Sequence, residues 1–127
     1  MQALIIDDSK AMRSILKRLL GELGFGPIHE AANGSDALAA LTYLKDTRLI
    51  LVDWNMPEMN GLEFVTAVRS NPQFNSVRLM MVTTETEIEQ VQKALDAGAN
   101  EYLMKPFTGE VLREKLNLLG LVSGAGA

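Results

Sequence analysis

The chain has 127 residues, 47% of them hydrophobic, with a formal net charge of −4, a pI near 5.0 and no cysteine. That length predicts one domain with a sizeable core, and the composition is too apolar for disorder. The lack of thiols excludes disulfides, thiol catalysis and thiolate metal sites, and the acidic balance, with no basic cluster larger than Lys17-Arg18, argues against direct nucleic-acid binding.

Met1-Gln2-Ala3 leads straight into the apolar run Leu4-Ile5-Ile6, without the basic region and long apolar segment of a signal peptide. No stretch approaches the roughly 20 apolar residues of a membrane span. A cytoplasmic protein without membrane insertion is expected. Leu4-Ile5-Ile6 reads as a buried strand and is followed at once by Asp7-Asp8. Met12, Ile15, Leu16, Leu19, Leu20 and Leu23 recur at helical spacing, and Gly24 stops that helix. A second strand is expected from about Pro27 to Ala31. Ser35 is placed to cap the next helix, whose buried face uses Leu38, Leu41 and Leu44.

The third strand, Leu49 to Asp53, ends in the loop Asn55-Met56-Pro57-Glu58-Met59-Asn60-Gly61, and a third helix carries Leu62, Val65 and Val68. Val77 to Val82 forms a fourth strand ending at Thr83-Thr84. A fourth helix with the stripe Ile88, Val91, Ala94 and Leu95 ends at Gly98. A short fifth strand, Glu101 to Met104, closes at Lys105-Pro106, and Thr108 caps a last helix bearing Leu112, Leu116 and Leu119. This alternation predicts an α/β fold with a parallel sheet. The folded unit is expected over residues 1–121, with a flexible tail over 122–127.

The strand ends carry the chemistry. In an open parallel sheet, ligands bind beyond the carboxyl ends of the strands. Those ends deliver Asp7-Asp8, Asp53, Thr83 and Lys105 to one edge, while the second strand contributes little, as an edge strand would. Three crowded carboxylates cannot all stay ionised without positive charge among them. A hard divalent cation answers that need, Mg²⁺ or Mn²⁺ in its place, with a phosphate as the natural next ligand. An aspartate can attack phosphorus to form an acyl phosphate, and metal and lysine would neutralise the charge. Taken singly, each residue has a plainer reading. Asp7-Asp8 beside Ser9 could be a helix cap, and Tyr102 a half-buried strand aromatic. His29 reads as a partly exposed edge-strand residue, and Glu85-Glu87-Glu89 as a solvated helix start.

The ordered set Asp7-Asp8, Asp53-Trp54-Asn55-Met56-Pro57 with Asn60-Gly61-Leu62, Thr83, Tyr102 and Lys105-Pro106-Phe107-Thr108 resembles a response-regulator receiver domain of the single-domain chemotaxis (CheY) type. The resemblance covers about residues 2 to 120. It implies a flavodoxin-like doubly wound sheet of five parallel strands, order 2-1-3-4-5, flanked by five helices. It also implies phosphorylation of Asp53 by a CheA-like histidine kinase. Asp8 and Asp53 would ligate Mg²⁺, with Asp7 supporting through water and the backbone carbonyl of Asn55 adding a ligand. Thr83, Thr84 and Lys105 would bind the phosphoryl group, Thr83 and Tyr102 would act as the switch, and the Lys105-Pro106 peptide would be cis. The expected target face is made by the fourth helix, fifth strand and fifth helix, with the flagellar motor switch as one candidate partner, and the protein is expected to be a monomer.

One departure stands out. Thr84-Glu85-Thr86-Glu87 is acidic, where chemotaxis members carry a small residue and lysines after the threonine. Two other functions share the fold: a phosphorelay intermediate and a phosphate sink. A haloacid-dehalogenase-type phosphatase would use a similar strand-end aspartate, Mg²⁺ and lysine. It would also place a second aspartate where this chain has Asn55.

Overall fold

A computed structural model describes residues 1–122, the side chain of Glu85 excepted. The expected tail therefore lies, from residue 123 on, outside the described residues. The elements are β1 (Gln2–Ile6), α1 (Lys10–Glu22), β2 (Ile28–Ala31), α2 (Gly34–Leu41), β3 (Thr47–Asp53), α3 (Gly61–Arg69), β4 (Arg78–Thr84), α4 (Ile88–Ala97), β5 (Glu101–Lys105) and α5 (Gly109–Leu118). Short 3₁₀ turns, Pro72–Phe74 and Glu85–Glu87, precede β4 and α4. The strands form one parallel sheet in the order β2-β1-β3-β4-β5.

The near-continuous apolar strands are explained by the two faces they serve. Side chains alternate across a strand. Ile5, Leu49, Leu51, Met80 and Val82 face Leu16 and Leu20 of α1 and Leu112 and Leu116 of α5. Their neighbours Leu4, Ile6, Ile50, Val52, Leu79 and Met81 face Ala37 and Leu41 of α2, Phe64, Val65 and Val68 of α3, and Ala94 of α4. A sheet covered on both sides leaves no polar face, so period-two patterning is absent from β1, β3 and β4.

Several boundaries differ from the sequence expectation. Asn33, not Ser35, caps α2: its Oδ1 accepts the Asp36 N–H at 2.7 Å, and the helix starts at Gly34. Both residues are good caps, and the earlier one wins because it sits in extended backbone directly after β2. β3 begins two residues earlier, at Thr47, whose buried hydroxyl donates to the Leu44 carbonyl at 2.8 Å. β4 runs on to Thr84 because Thr83 and Thr84 pair with Met104 and Lys105 of β5. Ile88 stays 37% exposed, so the buried stripe of α4 rests on Val91 and Ala94.

The amino-terminal edge of β4 and β5 is fastened by one side chain. The Arg69 guanidinium, at the end of α3, donates to the carbonyls of Gly98, Phe74 and Val77 at 2.9, 2.8 and 2.6 Å and to Asn100 Oδ1 at 2.9 Å. Asn100 Oδ1 also accepts the Leu79 N–H at 2.8 Å.

Candidate functional site

At the carboxyl edge, Asp7 comes directly after the last residue of β1, and Asp53 is the last residue of β3. Ligand oxygens of Asp7, Asp8 and Asp53 all lie within 4.8 Å of one another. Asp7 and Asp53 are only 2% and 6% exposed, while Asp8 faces solvent. Ser9 caps α1 by accepting the Met12 N–H at 3.2 Å, so neither aspartate is used as the helix cap. Asp7 Oδ1 accepts the Ser9 N–H at 2.8 Å, and the Asp7 carbonyl accepts from Arg13 at 2.6 Å. Arg13 is paired in turn with Glu30 at 3.1 Å, which ties the site backbone to edge strand β2.

Lys105, at the end of β5, approaches two of the acids. Its Nζ lies 3.4 Å from Asp53 Oδ1 and 3.6 Å from Asp7 Oδ2. The second distance is an ion-pair contact beyond hydrogen-bonding range, and Asp7 Oδ2 is buried with no hydrogen-bond partner among the described residues. A single ammonium does not neutralise three carboxylates. Burial pushes the Asp53 carboxyl up from 3.8 to about 6; the Asp7 charge adds to this, Lys105 opposes it, and Glu87 adds a smaller push. The orphaned oxygen, the three converging carboxylates and the raised Asp53 pKa fit a hard, oxygen-preferring divalent cation.

The loop after β3 is held close to the sheet. The Trp54 N–H donates to the Val82 carbonyl at 3.1 Å, and the Gly61 N–H donates to the Trp54 carbonyl at 3.0 Å. A Cβ at Gly61 would collide with the end of the Met81 side chain and stand 3.2 Å from the Asp53 carbonyl oxygen, so a larger residue there would force Met81 and the backbone leaving β3 to shift. Asn60 opens α3 with a reciprocal cap: its Oδ1 accepts the Glu63 N–H at 2.9 Å, and Glu63 accepts the Asn60 N–H at 3.1 Å. Asn55 lies exposed two residues past Asp53, and Glu58 adopts a left-handed φ of 68°.

Thr83, only 1% exposed, is one step beyond Val82, the residue in register with Asp53. Thr84 is half-buried and in register with Lys105. The Lys105-Pro106 peptide is cis. Tyr102, in β5 three residues before Lys105, is half-buried, with Lys115 Nζ of α5 4.0 Å above its ring centroid. Lys115 also pairs with Glu101 at 3.0 Å. His29 is half-buried on edge strand β2, as expected, and its Nε2 has no hydrogen-bond partner among the described residues.

The residue that sequence reasoning misjudged is Glu87. It is half-buried, and Oε1 accepts the Thr84 N–H and the Thr84 hydroxyl, each at 3.0 Å, and the Thr83 hydroxyl at 3.4 Å. The signal was present in the spacing, since Thr84-x-x-Glu87 has the form of a capping box.

Comparisons with known proteins agree with this geometry. Residues 3–117 match the family described as the response regulator receiver domain. The chain is 47% identical to a chemotaxis protein CheY homolog of Campylobacter jejuni, covering 100% of this chain and 98% of that one. It is 45% identical to chemotaxis protein CheY1 of Helicobacter pylori over 94% of this chain and 96% of that protein. The solved structure of chemotaxis response regulator CheY4 of Vibrio cholerae superposes with a TM-score of 0.84 at 36% identity, covering 93% of this chain and 97% of that one.

Proposed function

The chain belongs to the response-regulator receiver family and is CheY-like along its length, and from that membership we propose that Asp53 is the carboxylate phosphorylated by a histidine kinase. The protein is a signalling molecule rather than an enzyme of dedicated substrate turnover. The observation that carries the assignment is the placement of Asp53. It is the buried acid at the centre of the sheet edge, 3.4 Å from Lys105 and grouped with Asp7 and Asp8.

In the proposed reaction an Asp53 oxygen uses a lone pair to form the O–P bond. The P–N pair of phosphohistidine returns to the imidazole nitrogen, which takes a proton from solvent. Attack requires an ionised carboxylate, and a pKa of about 6 leaves Asp53 mostly anionic at pH 7. Asp7, Asp8, Asp53 and the Asn55 carbonyl would hold Mg²⁺, which supplies neutralisation of charge on the transferring phosphoryl oxygens. Lys105, with its ammonium 3.4 Å from Asp53, would add positive charge, and Thr83 and Thr84 would donate to the phosphoryl product. Water would later cleave the acyl phosphate to phosphate and the free carboxylate, restoring the starting state.

A phosphoryl group recruits Thr83, and Tyr102 moves with it; this reshapes the face formed by α4, β5 and α5. The chemotaxis assignment of the relatives supports a CheA-like donor and a target in motor control, the flagellar switch being the first candidate. Residues 1–121 act as one receiver unit, working in the cytoplasm as a monomer. Asn55, standing where a dehalogenase-type phosphatase needs its acid/base, disfavours that enzyme.

Incubation with Mg²⁺ and acetyl phosphate, with intact mass as the readout, tests the assignment. One phosphoryl adduct on the wild type, absent from Asp53→Asn and from an EDTA-treated sample, is expected. An adduct that survives Asp53→Asn overturns it. Co-purification with a motor-switch protein, against a histidine phosphotransfer protein, separates motor control from a relay.

A further inference from the structure

The Glu87 carboxylate is arranged unlike an ordinary helix-start acid. Glu87 is the N-cap residue of α4 and makes no side-chain cap bond to that helix. Its side chain turns back to the end of β4, where Oε1 accepts the Thr84 N–H and hydroxyl at 3.0 Å each and stands within reach of the Thr83 hydroxyl at 3.4 Å, while Oε2 is buried without a hydrogen-bond partner among the described residues. A simple capping box would use Thr84 alone, with the threonine oxygen accepting a backbone N–H of the turn. Here the Thr84 hydroxyl, which also lies 2.8 Å from the Thr86 hydroxyl, reaches the carboxylate at 3.0 Å, and the Thr83 hydroxyl lies 3.4 Å from both Glu87 Oε1 and the Thr84 carbonyl. An anionic oxygen that gathers hydroxyl and backbone N–H donors is a chemical stand-in for a phosphoryl oxygen.

We propose that Glu87 is a positioning residue for the phosphorylation of Asp53. In the resting protein its carboxylate occupies the Thr83 and Thr84 donors that a phosphoryl group on Asp53 recruits, and it must withdraw for the phosphorylated state to form. The inference rests on the reading of Asp53 as phosphoacceptor and names what competes with the phosphoryl group. Charge acts in the same direction, because phosphorylation replaces a monoanionic carboxylate with a more highly charged phosphoryl group within the field of Glu87. The consequence reaches α4 directly. The competing residue is that helix's own N-cap, so its withdrawal moves the 3₁₀ turn Glu85–Glu87 and the uncapped first turn of α4.

The test titrates beryllofluoride, a tetrahedral phosphoryl mimic, into the full chain at saturating Mg²⁺ by calorimetry. Glu87→Ala, Glu87→Gln and Asp53→Asn are compared with the wild type. Glu87→Ala should bind the mimic about tenfold more tightly, equivalent to about 1.4 kcal/mol. Glu87→Gln keeps an acceptor without the charge, folds conservatively, and should gain about threefold. Mg²⁺ binding alone, measured in parallel, should be unchanged or weaker in both variants, because an anion near the site has been removed. A gain for the mimic without a gain for the metal is not expected from a purely structural role, and an equal gain for both overturns the proposal. Mimic affinity unchanged within twofold, or weakened, in both Glu87 variants overturns the proposal while leaving the phosphoacceptor assignment intact. Failure of the wild type to bind the mimic, or equal binding by Asp53→Asn, overturns that assignment and the proposal with it.

Discussion

Replacing Asp53 by asparagine should stabilise the metal-free protein at neutral pH. The cause is its environment: a largely buried carboxylate beside Asp7 with one lysine to offset both. The folded-state pKa stands at about 6 against 3.8 for an ordinary aspartate. At about 1.36 kcal/mol per pKa unit that gap amounts to about 3 kcal/mol. The carboxyl edge opens to solvent beside the exposed Asp8, which screens part of the interaction, so a gain of roughly 1–2 kcal/mol is expected.

Proton linkage gives the sign. Between about pH 4 and 6 the folded chain holds the Asp53 proton more tightly than the unfolded chain. Wild-type stability therefore falls, as far as this group is concerned, while pH rises through that window, and levels off above it. Asparagine does not titrate. Its advantage should be near zero at pH 3.5 and complete by pH 7.5. Urea unfolding monitored by circular dichroism in EDTA, at pH 3.5, 5, 6 and 7.5, measures it. In a chain of this size the thermal midpoint should rise by about 3–5 °C for each kcal/mol. Excess Mg²⁺ should reverse the order, since a ligand at about 100 times its Kd adds about 2.7 kcal/mol to the protein that binds it. No gain for Asp53→Asn at pH 7.5, or an equal gain at pH 3.5, would refute the electrostatic account.

Lys105→Ala should raise the Asp53 pKa beyond about 6 and slow phosphorylation from acetyl phosphate by about 10²-fold at pH 7, as read by intact mass against time; a rate within threefold of wild type would contradict this. Arg69→Ala removes four hydrogen bonds at the far edge and should cost about 3 kcal/mol in urea unfolding, with Arg69→Lys recovering less than half because an ammonium cannot span the four acceptors. Glu58→Asn should stabilise by about 0.5–1 kcal/mol, because asparagine tolerates the left-handed φ of 68° better than glutamate; loss of stability would show that the Glu58 side chain contributes more than its backbone costs.

The sheet and the acidic cluster were legible for one reason: a parallel strand buried on both faces is written as an uninterrupted apolar run, and the polar residues at the end of that run mark the functional edge. Leu4-Ile5-Ile6 and Leu49-Ile50-Leu51-Val52 announced Asp7-Asp8 and Asp53 in this way, and the structure brings the three together. Local ambiguity defeated the α2 cap, where Asn33 and Ser35 are both competent and only the direction of the backbone leaving β2 decides. Arg69 was invisible for another reason. Its four acceptors come from segments as far as residue 100, and no local pattern encodes that convergence. Glu87 was readable as the partner of Thr84, but the acidic run around it suggested solvation. Acids that look alike in sequence differ here in whether hydroxyl donors lie within reach.

The two edges of the sheet are satisfied unequally, and the inequality has a direction. At the amino edge, Arg69 and Asn100 commit donors and acceptors to the starts of β4 and β5 and to the turns feeding them. At the carboxyl edge, Asp7 Oδ2 and Glu87 Oε2 are buried without hydrogen-bond partners among the described residues, and Asp53 is held above its ordinary pKa. Polar groups left in that state cost free energy unless a ligand completes them. The fold tolerates the deficit because β4 and β5 are anchored at the other end by Arg69 and Asn100, and β3 and β4 are packed along both faces. A cation bound at this edge would relieve the deficit at Asp7 and Asp53, whereas a phosphoryl group on Asp53 would compete with Glu87 for the Thr83 and Thr84 donors, so the two ligands would act on opposite sides of the same imbalance at the start of α4.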